Sequence, residues 1–273
     1  MNRMVKTLRN CILTRHFPST ISMYIGNQLR LKHGQVLDVI EIEISSYCNL
    51  GCTQCDRNCG QAQAPTNEKM SVEQIAKFIE QSIKSRKRWY KIRVLGGEPT
   101  LHPDWLVILE RLRKYRDGYT PYTTIEWVTN GYGPVVTNRL PLIPADIEIV
   151  NTAKTTPLQP DFCTYAVAPC DLPEYQDADY ATGCIIPEIC GMALTRYGYY
   201  TCGAGASVDR VFGMGLGIPN LADVTKKQLL QTRTRLCRYC GHFKSSNTDL
   251  HISRSWQNAY ETYAKQRPVL PLF

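Results

Sequence analysis

Cys48-Asn-Leu-Gly-Cys52-Thr-Gln-Cys55 is the stretch of this 273-residue chain whose residue types and spacing point most directly to chemistry. It follows an apolar, alternating run, Asp38-Val-Ile-Glu-Ile-Glu-Ile44. A loop leaving a strand can bring three such thiolates to one metal centre. Soft thiolates select zinc, copper(I) or iron–sulfur clusters. A structural zinc site asks for a fourth ligand close to tetrahedral. Three cysteines that leave one position unfilled suit a [4Fe–4S] cluster with one iron open to another ligand.

Two further stretches stand at strand ends. Lys91-Ile-Arg-Val-Leu-Gly96-Gly97-Glu98-Pro99 reads as a strand running into a Gly-Gly-Glu-Pro turn, and Trp127-Val-Thr129-Asn130-Gly131 as the end of the next strand. Each alone is an ordinary turn signal. In this order, behind CxxxCxxC, they make a chain that resembles the radical S-adenosylmethionine (radical SAM) enzymes. The resemblance implies that Cys48, Cys52 and Cys55 bind three irons of a [4Fe–4S] cluster and that S-adenosylmethionine chelates the fourth. One-electron cleavage then yields a 5′-deoxyadenosyl radical that takes a hydrogen atom from the substrate. It also implies cofactor contacts at Gly96, Gly97, Glu98 and Pro99, with the glycines allowing close backbone approach and Glu98 pairing with the methionyl ammonium. Thr129 and Asn130 are placed to hydrogen-bond ribose or carboxylate. In one position the chain departs from the family. An aromatic residue usually precedes the third cysteine, near the adenine; here it is Gln54, so Tyr47 or an apolar residue of a later strand must share that packing. Cys59, just past the loop, reads as a bystander thiol.

A second set of cysteines lies in the C-terminal third. Cys237-Arg-Tyr-Cys240 has metal-binding CxxC spacing, for which a zinc knuckle is the plainer reading. Ahead of it, Leu194-Thr-Arg-Tyr-Gly198-Tyr-Tyr-Thr-Cys202 reads as a hairpin turning at Gly198. A hairpin ending in cysteine and followed by CxxC resembles the SPASM/twitch region of radical SAM enzymes, which binds an auxiliary iron–sulfur cluster. One such set fits the shorter twitch form. The preferred ligands are Cys184, Cys202, Cys237 and Cys240, with Cys190 as the alternate to Cys184. Cys163 and Cys170 read as buried thiols, or as thiols that take part in the chemistry.

Elements of matching type must position these groups. Residues 38–44, Lys91 to Gly96, Thr123 to Val128 and Asp146 to Val150 read as strands, with Cys163 to Ala168 as a fifth. Between them Met70 to Ile83 is a helix: Val72, Ile75, Ala76, Ile79 and Ile83 share one face, and Ser71 with Gln74 forms a capping box. Trp105 to Leu112 is the next helix, Pro134 to Leu140 a short one, and Asp249 to Lys265 the last. Strand–helix alternation predicts an α/β fold with a parallel sheet and crossover helices. A full eight-fold barrel needs about 250 residues. The expectation is therefore a partial (β/α) barrel of radical SAM type over residues 38–180, after a lead-in over 1–37. A small twitch-like auxiliary cluster domain follows over 181–245, and a C-terminal helix and tail over 246–273.

Composition narrows the partners. Hydrophobic residues make up 43% and charged residues 21%, which excludes a disordered chain. No apolar run is long enough to span a membrane, and Met1 to Leu13 lacks the h-region of a secretory signal. Twelve cysteines without such a signal read as ligands or reactive thiols in a reducing cytoplasm. A net charge of +8 suits an acidic electron donor of flavodoxin or ferredoxin type. No aromatic-interleaved RNA-binding module is visible.

The functional expectation is a cytoplasmic radical SAM oxidoreductase acting on a small molecule in biosynthesis, with the auxiliary cluster as electron acceptor. The twitch dehydrogenase of aminocyclitol antibiotic biosynthesis is the parallel within the family. A polar group must take the substrate proton; Lys154, Arg196 and Cys170 are the candidates for catalytic roles. A peptide-modifying radical SAM enzyme is the first alternative. A metal-stabilised binding module without radical chemistry is the second.

Overall fold

The computed structural model describes residues 38–156, 164–243 and 251–273. The expected lead-in over 1–37, Cys163 and the start of the last expected helix lie outside the described residues.

The first strand, β1 (Val39–Ser45), is buried along its whole length. Helix α1 (Val72–Lys84) starts at the Ser71–Gln74 capping box. Its buried stripe is Ile75, Phe78 and Ser82. Ile83, expected on that stripe, is 44% exposed. Ser82 takes the inner position because its hydroxyl bonds Phe78 O and accepts from Trp89 Nε1. Strand β2 (Lys91–Gly96), helix α2 (Trp105–Tyr119), strand β3 (Thr124–Thr129), helix α3 (Pro134–Arg139) and strand β4 (Glu148–Asn151) follow. These four strands pair in parallel.

The sheet does not end near residue 180. After a one-turn helix, α4 (Ile186–Ile189), strand β5 (Met192–Thr195) pairs in parallel with the free edge of β1. Strand β6 (Gly198–Tyr200) returns antiparallel to β5. The order is β4-β3-β2-β1-β5-β6, so the expected hairpin exists but extends the main sheet. Its turn is Arg196-Tyr197, and Gly198 opens the second strand at φ 124°. Residues 164–168 are buried but form no strand. Their main chain is satisfied by other partners: Tyr165 O accepts Gly241 N–H, and Ala166 O accepts Ser253 N–H.

Strand alternation separates two faces. Ile40, Ile42, Ile92, Val94, Ile125, Trp127 and Leu194 face α1 and α2 in one apolar core. The opposite face carries Glu41, Arg93 and Glu126 from three neighbouring strands. Arg93 bonds both carboxylates, at 2.7 and 2.8 Å, and Lys91 pairs with Glu126. Matched pairs of this kind are what permits buried charge in a parallel sheet. Helix α5 (Gly203–Phe212) covers the β5 side of this face and is buried from Gly203 through Val211. It joins a second apolar core with Tyr165, Ala193, Tyr200, Leu236 and Trp256. Helices α6 (Lys226–Leu236) and α7 (Arg254–Lys265) complete this layer. The described residues form a mixed α/β partial barrel built on a six-stranded sheet.

Candidate functional site

The cysteine loop leaves β1 at an irregularity. Glu43 lies opposite Leu95, yet Ser45 lies opposite Gly96, so one residue of β1 is extra. A bulge re-aims the chain at a strand end. The glycines of the next turn make this possible. A Cβ on Gly96 would stand 2.2 Å from Ser45 O, and one on Gly97 would stand 2.1 Å from Tyr47 O. Gly97 N–H and Glu98 N–H then bond those same two carbonyls, at 2.7 and 2.9 Å. In this structure the glycine pair therefore lets the turn after β2 pass directly under the root of the cysteine loop.

Cys48, Cys52 and Cys59 are buried with Leu50 in a small cluster of their own, against which Cys55 and Tyr132 pack. Asn130 Nδ2 donates to Cys48 Sγ at 3.6 Å and to Asn49 Oδ1 at 2.9 Å, while Asn49 Nδ2 donates to Tyr132 O. Burial pushes the Cys48 thiol up to about 12. Cys59 donates to Cys55, which lowers Cys55 and raises Cys59. Cys59, read as a bystander, thus touches one of the three loop thiols.

Glu98 is wholly buried. Its carboxylate accepts from Thr100 N–H and Oγ1, from Thr129 Oγ1, and from Asn130 N–H at 2.7 Å. Burial raises its pKa against the pull of these donors. Glu98 therefore ties the ends of β2 and β3 together, with neutral groups on both oxygens. Pro99 opens the short 3₁₀ turn that follows and is buried. Gln54 points inward at φ 59°. Its Oε1 accepts Tyr165 N–H and Ala166 N–H, at 2.8 and 2.5 Å, and its Nε2 donates to His251 O. It thus holds three chain segments together. Tyr47 lines an open pocket of about 290 Å³ with Ser45, Thr66, Asn67, Lys69 and His102.

Cys184, Cys202, Cys237 and Cys240 are all buried. Burial pushes Cys184 to about 12, and burial together with the neighbouring thiols raises Cys237 and Cys240 further. Cys202 is the N-cap of α5, accepting Gly205 N–H at 3.3 Å. Cys237 closes α6, and Cys240 ends the turn after it. Cys202 acts on Cys184, Cys202 and Cys184 act on Cys237, and all three act on Cys240, each disfavouring ionisation. Burial raises the Cys190 thiol most; among charges, Glu41 and Arg93 of the sheet face come first, then Arg57 of the cysteine loop, with Cys202 the weakest. Cys170 sits in a turn against the second core.

The donor chemistry fits thiolate-bound clusters at both places. Among the described residues no three His, Cys, Asp or Glu side chains close around one point as they would for a single ion. A cuboidal cluster asks for something else, since each thiolate takes a different iron. Asn130 supplies the amide hydrogen bond to sulfur that tunes such centres.

Lys154 stands beside the first site, its N–H on Asn130 O at 2.9 Å. Arg196 lies across the sheet, sharing a small cavity with Glu43, Glu68 and Arg210. Sequence reading missed Asn49, Arg57 and Arg210. Arg57 pairs with Glu41 at 2.8 Å, and Arg210 bonds Ala62 O, Arg57 O and Tyr263 Oη. The charges of Glu41, Arg93 and Glu126, on one face of adjacent strands, were the available signal for this buried network.

Residues 42–143 match the model of the Radical SAM superfamily. The chain is 34% identical over 84 residues to GTP 3′,8-cyclase of Listeria monocytogenes serotype 4b (strain CLIP80459), covering 31% of this chain and 25% of that protein. It is 30% identical over 102 residues to the probable GTP 3′,8-cyclase of Pyrococcus abyssi (strain GE5 / Orsay), covering 35% of this chain and 32% of that one. The matches thus span about a quarter to a third of these relatives. The crystal structure of BtrN in complex with AdoMet and 2-DOIA aligns with a TM-score of 0.44 at 16% identity, over 81% of this chain and 98% of that one. Among the described residues no helix is long and apolar enough to cross a membrane.

Proposed function

We propose, from the premise that this chain belongs to the radical SAM superfamily and is a radical SAM enzyme, that it carries out the net oxidation of a small molecule with the help of a second cluster. Cys48, Cys52 and Cys55 would hold the first [4Fe–4S] cluster, and Cys184, Cys202, Cys237 and Cys240 the second. With S-adenosylmethionine bound, the first supplies a 5′-deoxyadenosyl radical that takes a substrate hydrogen atom, and the second supplies an electron acceptor. The observation that supports this reading is that Cys184, Cys202, Cys237 and Cys240 are all buried, with Cys202 capping α5, Cys237 closing α6, and the other three thiols acting on Cys240.

The protein's own groups orient and enclose. Asn130 holds Cys48 through its side-chain amide and Glu98 through its main chain. Leu50 and Tyr132 pack beside the loop thiols and keep water from them. Lys154, whose main-chain N–H bonds Asn130 O, would be the candidate to take the substrate proton. Arg196 offers a fork of donors and no acceptor, so its role would be binding. An acidic flavodoxin- or ferredoxin-type donor in the cytoplasm would supply electrons to the basic chain. The 84 residues shared with the Listeria cyclase are too short a stretch to bring GTP with them as substrate.

The test is iron and sulfide content of anaerobically purified protein, compared with a Cys48→Ala/Cys52→Ala/Cys55→Ala variant. Dithionite and S-adenosylmethionine are then added and 5′-deoxyadenosine is assayed. The expected result is about eight irons falling to about four, with 5′-deoxyadenosine from the unaltered protein alone. Four irons falling to none would remove the second cluster. Zinc in place of iron would overturn both.

A further inference from the structure

Arg57 lies two residues past Cys55 in the loop of the first site. Its guanidinium nevertheless lies against Gly203, the residue after Cys202: a Cβ there would stand 1.5 Å from Nη1 and 2.4 Å from Cζ. Its Nη2 bonds Glu41 Oε2 at 2.8 Å. Its main-chain carbonyl is clamped by Arg210 Nη2 at 3.0 Å. Nη1 is buried and has no hydrogen-bond partner. A buried donor left unpaired costs about 1–3 kcal/mol, so each such group asks for an explanation. This one stands at the N-terminus of α5, beside a thiol read as a ligand of the second cluster.

We infer that Arg57 is a positioning residue that reaches from the first site to the second, donates through Nη1 to the sulfur side of the second cluster, and raises that cluster's reduction potential. The inference rests on the second cluster proposed above. A thiolate-ligated [4Fe–4S] cluster is anionic and becomes more so on reduction. A cation and a hydrogen bond at its sulfurs therefore favour the reduced state. In a buried setting that charge is weakly screened. Glu41 opposes it, since the same carboxylate also holds Arg93 at 2.7 Å. An electron acceptor for a substrate radical gains from such a raised potential.

The experiment is a redox titration followed by electron paramagnetic resonance, in the Cys48→Ala/Cys52→Ala/Cys55→Ala background, where only the second cluster contributes. Arg57→Gln should lower the midpoint, and Arg57→Lys should restore part of it. Gly203→Ala, which pushes the guanidinium aside while keeping its charge, should lower it as well. Glu41→Gln should move the midpoint the other way, upward. A purely structural role does not give opposite signs for the two partners of one ion pair. Midpoints that stay equal in Arg57→Gln and Glu41→Gln, with about four irons retained, overturn the inference and leave the second cluster standing. If Arg57→Gln loses its iron, the Glu41→Gln and Gly203→Ala titrations decide by the same signs. Absence of iron from the parent triple variant removes the second cluster, and the inference with it.

Discussion

Glu98 Oε2 accepts the main-chain N–H of Asn130 at 2.7 Å, and together with the Thr129 Oγ1 bonds this joins the C-terminal ends of β2 and β3. Asn130 in turn reaches Cys48 Sγ with its side chain. The motif at each strand end is thus a part of the next: the Gly-Gly-Glu turn supports the Thr-Asn turn, and the Thr-Asn turn supports the cysteine loop. A defect in any one is felt at the thiols.

Glu98→Ala should be strongly destabilising. It leaves the N–H groups of Thr100 and Asn130 unpaired at a fully buried position, a loss on the order of 3 kcal/mol or more. Glu98→Gln should cost less, since one oxygen survives, but its NH₂ must then face a donor. Urea unfolding of the three proteins should rank them unaltered, Gln, Ala. Equal midpoints for Ala and the unaltered protein would contradict the bonding described.

Gln54→Phe restores the aromatic residue common in the family, and it should weaken the protein. The Tyr165 and Ala166 N–H groups lose their shared acceptor, and a bulky residue must take φ 59°. The expected loss is on the order of 2–5 kcal/mol. Thermal unfolding checks it. A variant as stable as the parent would show that residues 164–168 do not depend on Gln54.

Much of this was legible in the chain. The existence and parallel pairing of the first four strands follow from strand–helix alternation, and the start of α1 follows from Ser71 and Gln74. The three motifs at strand ends were readable because the two later ones follow in order behind the cysteine loop, although each of those two is an ordinary turn signal when taken alone. The β5–β6 hairpin was readable as a hairpin, but not its partner. Met192 to Thr195 is short and apolar, and nothing local says that it lies beside β1. The inward turn of Gln54 depends on where residues 165 and 166 lie, which is a tertiary fact. Glycines 96 and 97 were read as room for a ligand, and the structure gives them a nearer reason in the carbonyls of Ser45 and Tyr47.

Asp146 gives a pH-dependent prediction. Hydrogen bonds from Arg113 and then Arg116 hold its carboxyl down at about 2. The folded pKa lies below the unfolded one. Its contribution to stability is therefore present above about pH 4 and is lost as pH falls toward 2. The group is partly exposed, so salt should weaken the effect. Asp146→Asn should be less stable than the parent at pH 6, and the difference should shrink as pH falls through that window. Urea midpoints at several pH values test this; a difference that grows on acidification would refute it.

The cysteines of the C-terminal third permit a sharper comparison, because five stand close in sequence or space and a cluster takes four. Cys190 is the odd one. Burial raises its thiol first and Glu41 next, with Cys202 the one cysteine that acts on it, whereas Cys184 feels Cys202, Cys237 feels Cys202 and Cys184, and Cys240 feels all three others of the preferred set. Cys190→Ala should thus leave iron content unchanged. Cys184→Ala and Cys237→Ala should each lower it by up to about four irons while 5′-deoxyadenosine formation persists, because the first site keeps its own three thiols. Iron analysis and that assay on the same samples separate the outcomes. Loss of iron from Cys190→Ala, with full retention in Cys184→Ala, would exchange the two residues in the ligand set.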